Sequence, residues 1–464
     1  MRLRPSGRRP PSRRPVPAEA IWDPTGHREA PGGTSTCPVT RLPGSYDPSL
    51  SVLRGHFGHP SFRPGQRELV DAALAGRDAL GVLPTGGGKS LCYQVPAILL
   101  DGITVVVSPL ISLMGDQVRR AREAGIAAEA LHSGLSVGRR RRIERGLGSG
   151  KLRLLLIAPE RFASQAFTTL LERLQVALLV IDEAHCISLW GHDFRPAYRD
   201  LGRVRRRLSA PVMALTATAT PAVRADIRAC LRMSNPFEMV GSFDRGNLFW
   251  AVMPTRGDAD KERQLLELIS RQPGARLIYA ATRRRVERVR ARIARMGRRT
   301  EAYHAGLPAT ERDRVQEYFM EDDGPLVVAT NAFGMGIDRP DVRLVVHDQL
   351  PGSLENYYQE AGRAGRDGEL AHCVALFDPT DRRVHRAFLD RRHPPLRTPR
   401  AWWRAQAEGE LIRRLRRRRV EKTKHRAVRR YAQTRSCRRI PLLGWFGERF
   451  PTGVCGTCDR CVGF

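Results

Sequence analysis

The sequence has no apolar stretch of membrane length. A helix needs about 20 consecutive apolar residues to cross a bilayer, and no run in these 464 residues comes close to that length. The amino terminus is basic, but no apolar segment follows it, so a secretory signal is also absent. We therefore expect a cytoplasmic protein with no membrane partner.

Lysine and acidic residues are scarce. Five lysines stand among 79 basic residues, and 48 acidic residues leave a net charge of +31. Arginine in place of lysine, with abundant Ala, Gly and Pro, is typical of a GC-rich genome. Codon usage does not explain the excess positive charge, however. A strongly basic protein attracts phosphate backbones by counterion release, so the composition predicts nucleic-acid binding.

Cysteine is sparse except at the carboxyl terminus. Five cysteines are scattered and are interpreted as reduced thiols, and the other four lie near the end of the chain: Cys437, Cys455, Cys458 and Cys461. In a cytosolic protein such a cluster indicates a metal rather than disulfides. Four thiolates suit one tetrahedral Zn²⁺ ion, although sulfur ligands alone leave an iron–sulfur cluster open.

Composition divides the chain into four segments. Residues 1–45 are rich in Arg, Pro and Gly without a helical or strand period, which predicts a disordered basic tail. Over 46–380, short β-rich apolar runs alternate with helix-like stretches, which predicts parallel sheets flanked by helices. A join near residue 242 separates two series of strands, so two lobes are expected, 46–242 and 243–380.

Seven strands are predicted from these apolar runs: Thr104–Ser108, Leu152–Ile157, Ala177–Ile181, Val212–Leu215, Arg276–Tyr279, Leu326–Ala329 and Leu344–His347. The last segment, 381–464, begins with an arginine-rich stretch and ends in the cysteine cluster. Apolar positions there favour a helical stripe: Leu411, Ile412, Leu415, Val420 and Val428. The arginines fit solvated helix faces and a DNA-binding surface equally well.

A glycine-rich segment follows the first apolar run of the first predicted lobe: Leu83-Pro84-Thr85-Gly86-Gly87-Gly88-Lys89-Ser90. Consecutive glycines let backbone N–H groups converge on phosphate oxygens at a helix N-terminus. In this pattern Lys89 reaches the β- and γ-phosphates and the Ser90 hydroxyl binds Mg²⁺. Leu83 stands where the strict pattern has its first glycine, a departure typical of helicases.

Two further groups complete the predicted hydrolytic chemistry. Asp182 and Glu183 end an apolar strand, where Asp182 is expected to hold Mg²⁺ and Glu183 to orient or deprotonate the attacking water. Arg363 and Arg366 lie in the second predicted lobe. An arginine from another lobe can stabilise charge on the transferred phosphoryl group.

The motifs in their order resemble the RecQ family of superfamily 2 DNA helicases. The resemblance covers about residues 50–464 and rests on seven stretches: Phe62–Gln66, Thr85–Ser90, Ser108–Met114, Asp182–His185, Ala214–Thr220, Ala332–Asp338 and Gln359–Arg366. It implies an α/β fold of two RecA-like parallel-sheet lobes, with ATP between them, followed by a small helical zinc-binding subdomain.

Roles for single residues follow from the same resemblance. It implies that Arg63 and Gln66 recognise adenine, that Arg366 is an arginine finger supported by Arg363, and that Asp338 contacts the nucleotide. Thr216 and Thr218 are expected to couple the lobes to DNA. Two departures are His59, where the family often has a stacking aromatic residue, and 280–283, which differs from the stretch with which the family makes a minor nucleic-acid contact.

The stretch Cys186–Pro196 looks like the aromatic-rich loop of RecQ enzymes. Trp190 and Phe194 offer flat faces for bases, and stacking stabilises by about 1–3 kcal/mol per base, while Arg195 can pair with phosphate. A structural role as core anchors is the alternative for both aromatic residues. Close to Glu183, the loop is placed to transmit strand binding to hydrolysis.

These expectations combine into one predicted function and one alternative. The residues around Cys437 and Trp445 look like the RecQ zinc subdomain, which favours Zn²⁺ at the cysteines. We predict an ATP-dependent helicase that moves 3′ to 5′ on single-stranded DNA, acts on branched DNA in recombination and repair, and is nucleoid-associated if bacterial. Because no winged-helix or HRDC domain fits before Phe464, the alternative is a DNA-stimulated ATPase that remodels or anneals DNA.

Overall fold

The computed structural model describes residues 46–84, 86–109, 111–191, 193–334, 337–392, 411–451 and 453–463. The predicted basic tail at 1–45 and Thr85, a predicted phosphate-loop residue, lie outside the described residues. Residues 47–464 form one compact unit.

The first sheet contains seven strands, all paired in parallel: β1 (Ala79–Val82), β2 (Ile103–Val107), β3 (Ala128–Leu131), β4 (Leu154–Ile157), β5 (Val176–Ile181), β6 (Val212–Thr216) and β7 (Phe237–Val240). Their spatial order is β3-β4-β2-β5-β6-β1-β7. Asp182 directly follows β5, and the glycine-rich segment follows β1. The carboxyl ends of parallel strands share one edge, so both groups reach the same edge of this sheet.

The second sheet contains six parallel strands: β8 (Leu248–Pro254), β9 (Ala275–Tyr279), β10 (Glu301–Tyr303), β11 (Leu326–Ala329), β12 (Val342–His347) and β13 (Ala371–Phe377). Their order is β10-β11-β9-β12-β13-β8, which leaves β8 at one edge.

Helices connect the strands of both sheets. Those of the first lobe are α1 (Pro48–Phe57), α2 (Gln66–Leu74), α3 (Leu91–Leu99), α4 (Ile111–Glu123), α5 (Val137–Leu147), α6 (Gln165–Glu172), α7 (Pro196–Arg199), α8 (Leu201–Arg205) and α9 (Pro221–Leu231). Those of the second lobe and the carboxyl-terminal segment are α10 (Gly257–Arg271), α11 (Arg283–Ala294), α12 (Ala309–Glu321), α13 (Leu354–Ala361), α14 (Arg382–Arg392), α15 (Leu411–Gln433), α16 (Arg439–Trp445) and α17 (Asp459–Val462). Short 3-10 helices span Pro159–Ala163, Ala184–Ile187 and Pro379–Asp381.

Local sequence explains where several helices begin. At α9, Pro221 occupies the first turn, where its missing N–H costs nothing, and the Thr220 hydroxyl accepts a hydrogen bond from the Val223 N–H. Thr282 caps α11 in the same way through the Arg285 N–H, at 3.1 Å. None of the described helices combines the length and the apolar character that a bilayer span requires.

The core is continuous across both lobes and the carboxyl-terminal helices. Every residue of β2 and β4 is buried, because helices cover both faces of a parallel sheet, and all of these residues except Thr104 are apolar. One cluster of buried side chains joins the first sheet, the second sheet, α15 and α16. Two smaller clusters lie on the opposite face of each sheet.

The predicted fold class is confirmed: two parallel sheets with flanking helices precede a helical segment that carries the cysteine cluster. All seven predicted strands exist, and their bounds agree with the structure to within two residues. The predicted helical stripe of 381–436 is only partly right. Val420 and Val428 are buried on α15, whereas Ile412 is 78% exposed and Leu415 is 51% exposed.

Candidate functional site

The glycine-rich loop joins β1 to α3 and adopts conformations that need glycine. Gly86 and Gly88 have φ values of 78° and 69°, in the left-handed region that side chains disfavour. A β-carbon on Gly88 would lie 2.4 Å from Nε2 of Gln66, so a side chain there would displace the Gln66 amide. Lys89 and Ser90 follow at the start of α3 and are partly exposed.

Arg63 and Gln66 lie against this loop. The Gln66 amide donates hydrogen bonds to the carbonyl oxygens of Gly87 and Gly88, both at 3.0 Å, and its Oε1 accepts one from the Arg63 N–H at 2.8 Å. The Arg63 guanidinium donates to the Gly86 carbonyl oxygen. Both residues therefore contact the phosphate loop itself, and their predicted role in adenine recognition stays a prediction.

Asp182 and Glu183 are half-buried at the end of β5. Burial raises the pKa of Asp182, and the adjacent Glu183 carboxylate raises it further, while Lys89 opposes both. Burial acts in the same direction on Glu183, but a hydrogen bond from His185 and the charges of His185, Lys89 and Arg363 hold the pKa of Glu183 below its ordinary value. Glu183 is therefore the more acidic carboxylate of the pair and is ionised at neutral pH.

His185 links Glu183 to the predicted coupling threonines. Its Nδ1 lies 3.2 Å from Glu183 Oε2 and 2.9 Å from Thr216 Oγ1, which accepts a hydrogen bond from the Thr218 N–H at 3.3 Å. Thr216 is 0% exposed and Thr218 is 2% exposed. Because both threonines are buried, they are better placed to connect Glu183 to the stretch Ala214–Thr220 than to contact a DNA strand directly.

The second lobe brings Arg366 to the phosphate loop. A β-carbon on Gly86 would lie 3.8 Å from Cδ of Arg366, which is van der Waals distance. Arg366 also donates to Asp338 Oδ1 at 2.5 Å, and Asp338 lies 3.7 Å from Arg120 of the first lobe. Arg363 is buried and donates to the Gly334 carbonyl oxygen. Predicted catalytic residues from both lobes thus meet in one cleft.

Hydrogen bonds within the aromatic-rich loop and to neighbouring segments hold the loop in place. Ser188 Oγ accepts from the Trp190 N–H at 3.1 Å and donates to Asp226 at 2.6 Å. Arg195 donates to the Pro109 carbonyl oxygen at 2.8 Å, which ties the loop to the segment before α4. Trp190 and Phe194 are both partly exposed, and Trp190 also packs against the core. Each ring therefore combines an anchored side with an accessible one.

The sequence did not predict the contacts between α15 and the aromatic-rich loop. The Arg417 guanidinium lies 5.3 Å from the Phe194 ring centroid, a cation–π distance. Lys424, 1% exposed, donates to the Gly191 carbonyl oxygen at 2.6 Å and lies 3.9 Å from Glu355 of α13. A lysine within an arginine-rich helix was the available signal. Only the fold shows that it reaches two other elements.

The four cysteines converge as a metal site would require. The Sγ atoms of Cys437, Cys455, Cys458 and Cys461 all lie within 4.8 Å of one another. Two of these pairs are separated by 3.7 Å and 3.9 Å. Four sulfurs placed about 2.3 Å from a tetrahedral Zn²⁺ ion would be about 3.8 Å apart, so this set fits zinc.

The segment from Cys437 to Cys461 forms a cysteine module, and charged residues next to the cysteines dock this module onto the second lobe. Buried Arg438 forms a bidentate pair with Asp459, at 2.8 and 2.7 Å, and Asp459 accepts from the Val252 N–H of β8. The Trp250 N–H donates to the Thr457 carbonyl oxygen at 3.0 Å, next to an isolated parallel bridge to Cys458. The module therefore occupies the open edge of β8.

The segment between the lobes is held by the same module. Glu448 accepts hydrogen bonds from the Ser242 hydroxyl and the Phe243 N–H, both at 2.6 Å. Arg439 pairs with Asp244, and Phe446 stacks on Phe243 with centroids 4.4 Å apart. Sequence patterns did not predict these docking contacts, because the paired residues lie about two hundred residues apart in the chain.

Three family descriptions match successive parts of the chain. Residues 63–227 match DEAD/DEAH box helicase, residues 260–368 match helicase conserved C-terminal domain, and residues 381–462 match RecQ zinc-binding. The matches cover the phosphate loop, the two arginines of the second lobe and the cysteine cluster, respectively.

Curated relatives with similar sequences carry the names of DNA helicases. The chain is 42% identical to ATP-dependent DNA helicase RecQ of Haemophilus influenzae over 89% of this chain and 63% of that protein. It is 40% identical to the Bacillus subtilis protein of the same name, over 89% of this chain and 66% of that one. A probable ATP-dependent DNA helicase RecS of Bacillus subtilis is 39% identical over 71% of this chain and 67% of its own length. The chain thus spans just under two thirds of the two RecQ proteins.

Solved structures share the fold at lower identity. A helicase MrfA bound to DNA superposes with a TM-score of 0.60 at 21% identity, over 76% of this chain and 53% of that one. Dbp5 of S. cerevisiae, bound to RNA and ADP BeF3, gives 0.57 at 18% identity, over 75% and 91%. At such identities these likenesses support the two-lobe fold alone.

Proposed function

From the premise that this chain belongs to the RecQ family of DNA helicases, we propose that it hydrolyses ATP between its lobes and uses the cycle to move 3′ to 5′ along single-stranded DNA. The observation that carries the proposal is the approach of Arg366 to Gly86. An arginine of the second lobe there reaches the phosphate loop of the first, so closing of the cleft and hydrolysis depend on each other.

In the proposed reaction a water molecule attacks the γ-phosphorus of ATP and the bond to the ADP oxygen breaks. Glu183 orients this water and accepts its proton, a role consistent with a carboxylate that stays ionised beside His185. The backbone of the glycine-rich loop and Lys89 bind the phosphates, and Arg366, supported by Arg363, stabilises the developing charge. Arg63, Gln66 and Asp338 are proposed to hold the rest of the nucleotide.

Mg²⁺ would neutralise phosphate charge and polarise the γ-phosphoryl group. Ser90 and Asp182 are the residues that would hold it, and their hydroxyl and carboxylate oxygens are ligands of the kind that this ion prefers.

DNA is proposed to contact the aromatic-rich loop. The exposed sides of Trp190 and Phe194 would stack on bases, and Arg195 would pair with phosphate. Binding of a DNA strand to the loop would then affect hydrolysis, because the loop directly follows His185 in the backbone and His185 contacts Glu183 and Thr216. Branched DNA, recombination and repair as the setting, and a cytoplasmic location near the nucleoid, are proposed from the family.

A strand-displacement assay tests the proposal directly. Duplexes with a 3′ or a 5′ single-stranded tail are incubated with ATP and wild-type protein or the Lys89→Ala variant. We expect displacement of the 3′-tailed duplex only, and no displacement by the variant, because it lacks the cation that binds the β- and γ-phosphates.

The other outcomes are also informative. Displacement of the 5′-tailed duplex alone would contradict the proposed polarity. DNA-stimulated ATP hydrolysis without displacement of either duplex would replace the helicase proposal by its alternative, a DNA-remodelling or annealing ATPase. No stimulation of hydrolysis by DNA would contradict both.

A further inference from the structure

The backbone that carries Arg366 is a short loop, residues 362–366, which directly follows α13 and is called the Arg366 loop below. Its N–H groups at Gly365 and Arg366 donate to the carbonyl oxygens of Val342 and Pro340, at 3.0 and 2.9 Å. Its carbonyl oxygens lie at a helix end, where no further turn of helix supplies N–H donors. Side chains from another part of the chain must therefore satisfy them.

Arg245 supplies these donors. Its Nη1 donates to the Gly362 carbonyl oxygen at 3.0 Å, and its Nη2 donates to those of Ala364 and Gly365 at 2.9 and 2.5 Å. One planar guanidinium thus holds three carbonyl groups of the Arg366 loop, and its rigid fork fixes their relative positions. A cation at the carboxyl end of a helix is also favoured by the helix dipole.

Asn247 adds a second contact to the same loop. Its amide donates to the carbonyl oxygens of Gly365 and Glu369, at 2.8 and 2.9 Å. Gly365 has a φ of 52°, and a β-carbon there would lie 2.6 Å from Nδ2 of Asn247 and 2.7 Å from the Glu369 carbonyl oxygen. The Arg366 loop therefore packs closely against residues 242–247, the inter-lobe segment.

The inter-lobe segment is itself held on two sides. Arg439 of the cysteine module donates to the carbonyl oxygens of Arg245 and Gly246, at 3.1 and 3.2 Å. From α13, the Tyr358 hydroxyl donates to the Phe243 carbonyl oxygen at 2.8 Å. Arg245 thus lies on a backbone that both the cysteine module and α13 keep in place.

The position of Arg366 depends on this arrangement. Arg366 directly follows Gly365, the last of the three residues whose carbonyl groups Arg245 binds, and its Cδ lies at van der Waals distance from a β-carbon placed on Gly86. A displacement of about 1 Å at a reacting centre can lower a rate by about a hundredfold. Loosening of the Arg366 loop would therefore affect any group that Arg366 stabilises.

We propose that Arg245 is a positioning residue for ATP hydrolysis, which holds the Arg366 loop in the shape that places Arg366 at the phosphate loop. It acts through Arg366 and not through a contact of its own with the nucleotide. The inference rests on the proposed function, because it takes Arg366 as the residue that stabilises charge on the γ-phosphoryl group.

Steady-state ATP hydrolysis by an Arg245→Met variant tests the proposal. Methionine keeps an unbranched side chain and removes all the donors. With saturating oligodeoxythymidine, we expect kcat to fall by about tenfold to a hundredfold. The KM for ATP should stay within about threefold of wild type, because the lost stabilisation belongs to the transition state. Arg245→Lys keeps the cation without the fork and should recover part of kcat.

Arg276 provides a matched control. Its guanidinium also bridges backbone carbonyl oxygens, those of Ile269 at 3.2 Å and Gly324 at 2.9 Å, and it is half-buried like Arg245. It lies near the amino end of β9, whereas the nucleotide cleft is at the carboxyl ends of the strands. Arg276→Met should therefore keep the kcat of wild type. Equal losses of kcat in the two methionine variants would overturn the proposal, because any loosening of the lobe would then explain them.

A double variant separates positioning from a general structural role. Arg366→Gln alone should lower kcat strongly, and adding Arg245→Met should lower it no further, because residues that act as a unit are not additive. Losses that multiply in the double variant would show that Arg245 does not act through Arg366, which overturns the proposal.

A milder substitution covers the case in which Arg245→Met does not fold. Asn247→Ala removes one amide from the Arg366 loop and should lower kcat by about threefold or more, with little change in KM. A wild-type kcat in both Arg245→Lys and Asn247→Ala would overturn the proposal. Failure of the proposed function is distinguishable, because Arg366→Gln would then hydrolyse ATP at the wild-type rate.

Discussion

At the scale of single residues, the chemistry depends on side chains held at strand ends. Glu183 has φ and ψ of 47°, a left-handed conformation that costs a non-glycine residue about 1–2 kcal/mol. The strain is offset because, in this conformation, Oε2 of Glu183 lies 3.2 Å from Nδ1 of His185. His185 lies between this carboxylate and Thr216 and therefore links the two motifs.

Trp190 provides a prediction at this scale. Replacing Trp190 by Ala removes a ring expected to stack on a base, a loss of about 1–3 kcal/mol. The ratio of ATP hydrolysis with DNA to hydrolysis without it should fall towards one, as measured by phosphate release. Trp190→Phe keeps a flat ring and should preserve most of the stimulation. Full stimulation in the alanine variant would indicate that Trp190 is a core anchor only.

At the scale of elements, α15 connects parts of the molecule that are distant in sequence. Its Lys424 lies between Gly191 of the aromatic-rich loop and Glu355 of α13, the helix that leads to Arg363 and Arg366. A β-carbon on Gly191 would lie 2.0 Å from the His185 carbonyl oxygen, so the loop needs glycine at this contact. One buried cation thus joins the aromatic-rich loop, α13 and α15.

We predict that Lys424→Met destabilises the protein by about 3–5 kcal/mol, because Glu355 would remain buried without a neighbouring cation. Adding Glu355→Gln should recover part of this loss, since it removes the uncompensated charge. Denaturant unfolding of wild type, both single variants and the double variant measures the coupling. Losses that simply add would show that the two residues do not stabilise each other.

At the scale of the whole molecule, the cysteine module organises the second lobe and the inter-lobe segment together. It covers the open edge of β8 through Trp250 and Val252, and it holds Ser242 and Phe243 through Glu448. The buried cluster that joins both sheets also includes Cys437 and Cys458. Loss of the metal is therefore expected to affect both lobes and not only the carboxyl terminus.

Metal analysis tests this expectation. Purified protein should contain one zinc per chain and no iron, by elemental analysis. Replacing Cys455 by Ser removes one thiolate ligand and should lower both the zinc content and the midpoint of thermal unfolding, because metal-binding energy contributes to folding. Cys230, which lies outside the cluster, is the matched control for a Cys→Ser change. Iron with visible absorbance would contradict the zinc assignment.

Sequence patterns predicted strands well where they are buried on both faces. The runs at β4 and β11 are apolar throughout, and the run at β2 is apolar except for Thr104, because parallel strands between helices have no solvent side. Strands with partly exposed residues, such as β3 and β10, were not predicted, and neither was β1, although each of its residues is buried. The stripe on α15 was mispredicted at Ile412, since a helix contacts only what the tertiary fold brings to it.

By itself the sequence determined the family to which the motifs belong and the parallel α/β character of the lobes, because both depend on residue type at short spacing. Tertiary structure alone decided which distant groups meet. Arg366 at the phosphate loop, Lys424 at the aromatic-rich loop and Glu448 at the segment between the lobes all join residues far apart in the chain. Long-range contacts of this kind follow from how the sheets and helices pack, so no local pattern contains them.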